Sequence, residues 1–126
     1  MSTIMRNRIS CIIPNWNGKD RLGKAITSLL NQTYSDTITI IVVDNGSVDG
    51  SVAFVKQHYP QVELIEHHKN YGYAGGVNAG LRSVLQHDNH FVATFNNDAI
   101  ADTYWLEKLV LALEQNPEVG IATSKL

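Results

Sequence analysis

Asparagine is unevenly distributed in this 126-residue chain, and it gathers where binding chemistry is expected. Of eleven Asn residues, six lie in four short polar segments: Asn15, Asn17, Asn45, Asn70, Asn96 and Asn97. An amide group both donates and accepts hydrogen bonds without adding charge, which suits a ligand made of base edges and hydroxyl groups. The four segments therefore predict a binding site for a ligand of that kind.

Acidic and aromatic side chains in the same segments add further chemistry. Asp98 follows an apolar run with no cation nearby in the sequence, and such a carboxylate is a reasonable ligand for a hard metal ion. Asp44 fits either a ligand contact or turn chemistry, because Asp-Asn-Gly-Ser is typical of turns, and Asp49 is typical of a helix cap. Trp16 either stacks on a flat ligand or fills the core.

Glycines and histidines complete the candidate set. Gly75 and Gly76 belong to a Gly-rich stretch that either permits a tight loop or lets the backbone approach a phosphate or sugar. The stretch matches neither of the two common phosphate-binding glycine motifs. His67 and His68 are adjacent, so their side chains point in opposite directions, and a solvated pair is favoured over a shared metal.

Short apolar runs alternate regularly with helical patterns along the chain. Runs rich in β-branched residues predict strands over 9–13, 38–43, 62–65, 91–95 and 119–123, the first of them ended by Pro14. Apolar stripes predict helices over 19–32, 52–58, 74–85 and 106–113, the last of them capped by Asp102.

This order predicts an α/β fold: an open, mostly parallel sheet flanked by helices on both faces, in three layers α/β/α. In such a sheet, ligands bind outside the carboxyl ends of the strands. The four polar segments each follow a predicted strand, so we expect them to meet along one edge.

Composition excludes several classes of protein. The length fits one domain, residues 1–126, and a net charge of −2 argues against a nucleic-acid partner. No apolar run approaches the ~20 residues of a transmembrane helix, and the first residues lead us to expect no secretory signal. A single cysteine, Cys11, rules out an internal disulfide. The expected location is the cytoplasm.

The ordered motifs resemble a known family. They are PNWN at 14–17, VVDNGSVDGS at 42–51, NYGYAGGVNAG at 70–80 and NND at 96–98. Together they look like the amino-terminal, donor-binding part of family 2 glycosyltransferases, most closely the bacterial rhamnosyltransferase-like branch. The resemblance covers nearly the whole chain, and it rests on four motifs in order rather than on any one of them.

The resemblance implies a GT-A fold, whose nucleotide-binding half is Rossmann-like, and inverting transfer of a sugar from a UDP or dTDP donor to an acceptor hydroxyl. Pro14 and Trp16 would line the base pocket, and Asp44 and Asn45 would contact base and ribose. The full implied set of nucleotide-sugar-binding residues is Pro14, Asn15, Trp16, Asn17, Asp44, Asn45, Gly75, Gly76, Asn78, Asn96 and Asn97.

The resemblance also implies a metal cofactor. Residues 96–98 occupy the place of the family's DXD motif, so Asp98 would hold Mg²⁺ or Mn²⁺ against the donor diphosphate. Two departures weaken the match: Asn96 replaces the first Asp of that motif, and Asn45 replaces a second Asp found in many relatives. The first departure predicts weaker metal binding, and the second blurs the base preference.

By the same resemblance, the general base and the acceptor-binding part lie beyond Leu126, and we expect the chain to be a piece of a longer protein. The implied acceptor is a glycan or a lipid-linked sugar in cell-surface polysaccharide biosynthesis, which would place the protein at the inner face of the membrane. Apolar surface left on the last strand and helix predicts self-association.

Other functions fit the size of the chain less well. A receiver-like signalling module needs an acidic pair after the first strand, where Asn15 and Asn17 stand instead. A dinucleotide-dependent dehydrogenase needs a glycine fingerprint at that position. A non-catalytic module that binds nucleotide without turnover remains an alternative.

Overall fold

The structure is a computed structural model that describes residues 8–34 and 38–124. Residues 1–7, where the sequence analysis expects no secretory signal, lie outside that range. The described elements are β1 (Ile9–Asn15), α1 (Lys19–Leu30), β2 (Ile38–Asn45), α2 (Ser51–His58), β3 (Glu63–His67), α3 (Gly72–Val84), β4 (Phe91–Thr94) and α4 (Trp105–Gln115). Among these residues, no helix has both the length and the apolar composition that crossing a bilayer requires.

All strand pairs are parallel, and the sheet order is β3-β2-β1-β4. The chain moves from β1 through β2 to β3 in one direction and then returns to place β4 on the other side of β1. The order of strands therefore reverses between β1 and β4. In open α/β sheets, the crevice at such a reversal is where ligands bind.

Helices cover both faces of the sheet, so the predicted three-layer α/β/α fold is confirmed. On one face, Ile13 and Val42 belong to a core that also includes Leu22 and Leu29 of α1 and Val110 of α4. Among the described helices, α3 covers the opposite face, and the core residues there are Ile12, Ile41, Val43, Ala79 and Val84.

The free thiol of Cys11 lies inside the larger core. Removal from water disfavours the thiolate, so burial raises the pKa of the Cys11 thiol to about 12.

β1 runs two residues further than its pattern predicts. The strand was expected to end before Pro14, but Pro14 pairs with Val43 and the strand continues to Asn15. β4 pairs with β1 only as far as Ile12. Beyond that point β1 has a single neighbour, so a residue without an N–H is tolerated there. The extension carries Asn15 to the end of a rigid strand.

The predicted fifth strand is wrong: residues 119–124 have no regular secondary structure. Their composition favours a strand, but a strand also requires a paired neighbour, and β4 pairs only with β1 in the described sheet. A groove of about 660 Å³ separates this segment from β4 and α4.

The start of α4 also differs in detail from its prediction. The helix begins at Trp105, and Asp102 does not cap it directly. The Asp102 carboxylate instead accepts a hydrogen bond from the Tyr104 N–H at 2.9 Å, in the turn that precedes the helix.

Candidate functional site

The polar segments lie at one edge of the sheet, because every strand is parallel and each segment follows a strand end. Hydrogen bonds join three of them across the sheet order. Asn15 ends β1, Asp44 lies near the end of β2, and Asn97 follows β4. These three side chains form one chain of contacts across the reversal point between β1 and β4.

Asn15 is the centre of this network and is only 1% exposed. Its Nδ2 donates to Asp44 Oδ1 at 3.0 Å, and its Oδ1 accepts from Asn97 Nδ2 at 3.0 Å. A buried amide is costly unless both its ends are hydrogen-bonded, and here both are. The loop after β4 is thereby fixed to the ends of β1 and β2.

Asp44 faces protein groups. It is 2% exposed, and its Oδ2 accepts from the Ser47 N–H at 2.8 Å while Oδ1 accepts from Ser47 Oγ at 2.7 Å. Ser47 is a site residue that the sequence analysis did not single out. The only signal for it was its place in the Asp-Asn-Gly-Ser turn, where a hydroxyl two or three residues after an Asp often bonds back to it.

Asn17 joins the loop after β1 to the loop after β2. Its backbone lies in the left-handed region (φ 50°), which Asn adopts more readily than most residues. Its N–H donates to Ser47 Oγ at 2.8 Å, and its Oδ1 accepts from the Val48 N–H at 2.9 Å. The conformation thus places both groups of Asn17 against the neighbouring loop.

Asn45 joins the loop after β2 to the start of α3, and it is nearly buried. Its Nδ2 donates to the Gly72 carbonyl at 3.0 Å, which leaves Oδ1 as the acceptor for His67 Nδ1 at 2.9 Å. His67 therefore carries its proton on Nδ1 in this arrangement. The predicted solvated histidine pair is wrong for His67, which is partly buried here, whereas His68 is exposed.

The first turns of α3 pack closely over the strand ends. A Cβ added to Gly76 would lie 3.1 Å from Pro14 Cβ and 3.2 Å from Asn45 Nδ2, so a larger residue would push the helix away. Gly75 is half-buried beside it, and Asn78 is exposed on the same helix. The hydrogen bonds that join the other segments do not include Asn78.

Besides Asn78, three predicted ligand residues are exposed around this buried network. Trp16 is 54% exposed, and Asn96 and Asp98 are also exposed. Within the described part of the chain, the Asp98 carboxylate has no hydrogen-bond or ion-pair partner, so it is free to bind a ligand.

The donor set fits a divalent cation only in part. Among residues 8–34 and 38–124, no three His, Cys, Asp or Glu side chains come close enough together to hold a metal ion. Mg²⁺ commonly uses one or two carboxylates and completes its shell with water and substrate phosphates. Asp98 therefore fits Mg²⁺ or Mn²⁺ if a phosphorylated ligand supplies the other oxygens.

Asp49 holds the starts of two helices. Its Oδ2 accepts from the Lys19 N–H at 3.0 Å, at the first residue of α1, and its Oδ1 accepts from the Ser51 N–H at 3.0 Å, at the first residue of α2. Partial burial raises the pKa of Asp49, but the hydrogen bonds from the Ser51 hydroxyl and from these N–H groups outweigh it. The pKa therefore lies below the ordinary value of 3.8. The predicted cap at Asp49 is wrong in detail, because the N-cap of α2 is Gly50. From the position before it, the Asp49 carboxylate binds the first N–H group of α2 and also that of α1.

Comparison with known proteins matches residues 10–125 to the glycosyl transferase family 2. The chain belongs to this family. It is 28% identical over 121 residues to an uncharacterised glycosyltransferase of Haemophilus influenzae, covering 94% of this chain and 36% of that protein. It is 31% identical over 117 residues to the uncharacterised glycosyltransferase YibD of Escherichia coli, covering 90% of this chain and 33% of that one.

A solved structure of similar fold agrees with this architecture. The mannosyltransferase PcManGT of Pyrobaculum calidifontis, solved with GDP-Man and Mn²⁺, superposes with a TM-score of 0.75 at 25% identity, over 86% of this chain and 33% of that protein. The chain thus spans about a third of the length of these three proteins.

The two helix-start contacts of the Asp49 carboxylate predict a pH-dependent contribution to stability. Asp49→Asn removes the charge and one acceptor, and we expect it to lower the free energy of unfolding at pH 7 by about 1 kcal/mol. Because the pKa is lowered in the folded state, this contribution is complete above the ordinary pKa of 3.8 and is lost as the pH falls through the folded value. Urea unfolding at several pH values measures the difference. Asp20→Asn, an exposed acid in the first turn of α1, is the control, and a gap that stays constant below pH 3.8 would contradict the assignment.

Proposed function

We propose that this domain, residues 1–126, binds a nucleotide diphosphate sugar as the donor-binding part of an inverting glycosyltransferase. The observation that carries the proposal is the hydrogen-bonded chain Asp44–Asn15–Asn97 across the reversal point, with a free Asp98 carboxylate next to it. This is the place where α/β sheets bind nucleotides. The mannosyltransferase crystallised with GDP-Man supports the same class of ligand.

The base is assigned to the side of the site that holds Trp16. Its exposed ring offers a flat surface for stacking, and Pro14 lies beneath the first turns of α3. A uracil or thymine base is proposed from the family resemblance, so UDP and dTDP are the preferred nucleotides, with GDP as the competitor suggested by the mannosyltransferase. Gly75, Gly76 and Asn78 would border the phosphates and sugar, because the amino-terminal end of a helix favours anions.

The metal is assigned to Asp98, with Asn96 beside it. A divalent ion bound there would neutralise charge on the departing nucleoside diphosphate. Asn97 has a different task, because its Nδ2 is engaged by Asn15 and fixes the backbone of this loop. The Mn²⁺ in the mannosyltransferase structure supports a divalent cofactor.

The buried members of the set are proposed to position the ligand-binding groups. Asn15, Asp44 and Asn45 are each 3% exposed or less, and their polar atoms bond to the protein. Donor binding would then rely on the exposed side chains and on backbone groups that this network holds in place.

The proposed transfer exchanges one bond of the anomeric carbon for another. The bond between the anomeric carbon and the diphosphate breaks, the acceptor oxygen forms a bond on the opposite face, and the acceptor proton passes to a general base. We assign no described residue as the general base. From the family resemblance, we expect that base beyond Leu126. We therefore propose that this chain alone binds donor and does not complete transfer. Three further statements stay predictions from the family resemblance: the glycan or lipid-linked acceptor, the location in the cytoplasm or at the inner membrane face, and the role in cell-surface polysaccharide biosynthesis.

Isothermal titration tests the donor site directly. The wild-type chain should bind UDP or dTDP more tightly with Mn²⁺ than without it. Asp98→Ala should reduce the gain from Mn²⁺ by about tenfold or more, since it removes the protein's carboxylate from the metal. Asp88→Ala removes an equal charge from an exposed position after α3 and should change nothing. A folded wild-type chain that binds no nucleoside diphosphate would refute the donor site, and unchanged metal dependence in Asp98→Ala would refute the metal ligand.

Tryptophan fluorescence tests the base position. In the Trp105→Phe background, Trp16 is the single remaining tryptophan, and we expect UDP or dTDP to quench it while free sugar does not. Trp16→Ala should weaken nucleotide binding by about 1–3 kcal/mol, the usual contribution of base stacking on an aromatic side chain. Quenching by sugar alone would move Trp16 away from the base.

We also propose that copies of this chain associate through the open edge of the sheet. β4 is an edge strand, Val92 on it is 43% exposed, and the adjoining groove is lined by apolar residues of α4. Unpaired edge strands with apolar side chains favour pairing with a second copy. Sedimentation velocity should show a concentration-dependent dimer that Val92→Lys reduces and the exposed control Leu85→Lys does not. A monomer at high concentration would exclude this association.

A further inference from the structure

Gln32 is a buried polar residue that does not belong to the candidate site at the strand ends. It follows the last turn of α1 and is only 3% exposed. Gln is mostly a surface residue, and a buried carboxamide requires hydrogen-bond partners for both of its ends. The partners of this one connect it to a segment 70 residues away in the sequence.

The carboxamide of Gln32 contacts that segment twice. Its Nε2 donates to the Asp102 carbonyl at 2.6 Å and also to the Ser28 carbonyl at 3.1 Å. Its Oε1 accepts from the Leu106 N–H at 3.0 Å. Both ends of the side chain are therefore engaged, and the orientation of the amide follows from its partners.

The contact to Leu106 replaces a missing helix cap. No side chain of α4 itself caps the helix, whose flanking residue is Tyr104. The first N–H groups of a helix lack partners within the helix, and Gln32 satisfies one of them from a different helix. α4 thus begins at a point fixed by the end of α1.

Two more hydrogen bonds strengthen the same attachment. The Ala101 N–H donates to Ser28 Oγ at 3.0 Å, and the Thr33 N–H donates to the Thr103 carbonyl at 3.1 Å. Together with Gln32, these contacts form the α1 anchor, which we define as Ser28, Gln32 and Thr33. It holds residues 101–106 against the end of α1.

The α1 anchor holds one end of the connection that carries Asp98. At the other end, the Phe95 N–H donates to the Ile12 carbonyl at 2.9 Å, and Asn97 is bound by Asn15. Asp98 lies between these two attachments in the sequence, and its carboxylate has no hydrogen bond or ion pair within the described part of the chain. The position of Asp98 therefore depends on both attachments. The contacts of Phe95 and Asn97 with β1 belong to the site at the strand ends, whereas the α1 anchor lies outside it.

We propose that Gln32 is a positioning residue of the donor site, which fixes the 95–106 connection so that Asp98 meets the metal bound to the donor diphosphate. This inference rests on the proposed function. It assigns Gln32 no contact with substrate or metal, and it predicts that loss of the carboxamide affects the metal-dependent part of binding and leaves the base side of the site intact.

The test compares Gln32→Met with the wild-type chain by isothermal titration of UDP or dTDP, with and without Mn²⁺. Met keeps a similar size but leaves the Leu106 N–H without its partner, and it removes one of the two hydrogen bonds to the Asp102 carbonyl, which keeps the one from the Trp105 N–H. We expect the gain in affinity from Mn²⁺ to fall by about tenfold, as when a partner that orients a metal ligand is removed. Affinity without metal should stay within about twofold, because a residue that touches neither ligand nor base contributes little there.

Two control variants separate positioning from general destabilisation. Gln57→Met makes the same chemical change at an exposed position of α2 and should behave as wild type. Val55→Ala removes core volume in α2 and should lower the melting temperature while leaving the gain from Mn²⁺ unchanged. An equal loss of that gain in Val55→Ala and Gln32→Met would overturn the proposal, because the effect would then follow stability alone.

Hydrogen–deuterium exchange tests, without any ligand, whether Gln32 holds the 95–106 connection in place. Without ligand, Gln32→Met should speed exchange of the amides of residues 99–106 and leave those of β2 unchanged. If Gln32→Met does not fold, Ser28→Ala removes the acceptor of the Ala101 N–H and should give the same pattern more weakly.

The exchange result also distinguishes failure of this inference from failure of the donor site. A wild-type chain that binds no nucleotide refutes the proposed function, and with it the metal-positioning role of Gln32. Unchanged exchange and unchanged gain from Mn²⁺ in a folded Gln32→Met variant overturn the inference alone.

Discussion

The buried amide of Asn15 is the contact on which the arrangement of the site depends. It lies at the reversal point of the sheet, between the Asp44 carboxylate and the Asn97 amide. An apolar residue there would leave the Asn97 amide without this acceptor and the buried Asp44 carboxylate with only its hydrogen bonds from Ser47. Losing a partner at a buried polar group costs more than the contact itself contributes. One side chain thus joins the loops that follow β1, β2 and β4, which are far apart in the sequence. Because the buried amide must keep both hydrogen bonds, the three loops stay in one arrangement.

Burial divides the polar residues of the site into two groups. Asn15, Asp44 and Asn45 bond to the protein and fix the loops, whereas Trp16 and Asp98 extend into solvent. A rigid interior with a few exposed functional groups is an economical way to build a binding site, because the exposed groups need little ordering when the ligand arrives. Gln32 adds a second fixed point away from the strand ends, because it binds the start of α4 to the end of α1.

Most of the architecture could be predicted from the sequence because burial leaves a periodic pattern. Runs of β-branched residues indicated β1 and β2, and parallel order then placed their polar ends at one edge. The pattern failed where pairing decides structure: residues 119–124 have strand composition but no neighbour to pair with. The pattern gave no sign of the buried Gln32, and the prediction of a solvated His67 was wrong. In both cases the partners of the polar side chain come from distant parts of the chain and leave no local periodicity.

The core position of Cys11 has a practical consequence. It is the single cysteine of the chain, and its thiol stays protonated at any physiological pH because burial holds its pKa near 12. Only the thiolate reacts readily with maleimides or oxidants, so the native residue is silent toward such reagents while the domain is folded. A cysteine introduced at the surface would therefore take up a dye or spin label alone, with no need to remove the natural one.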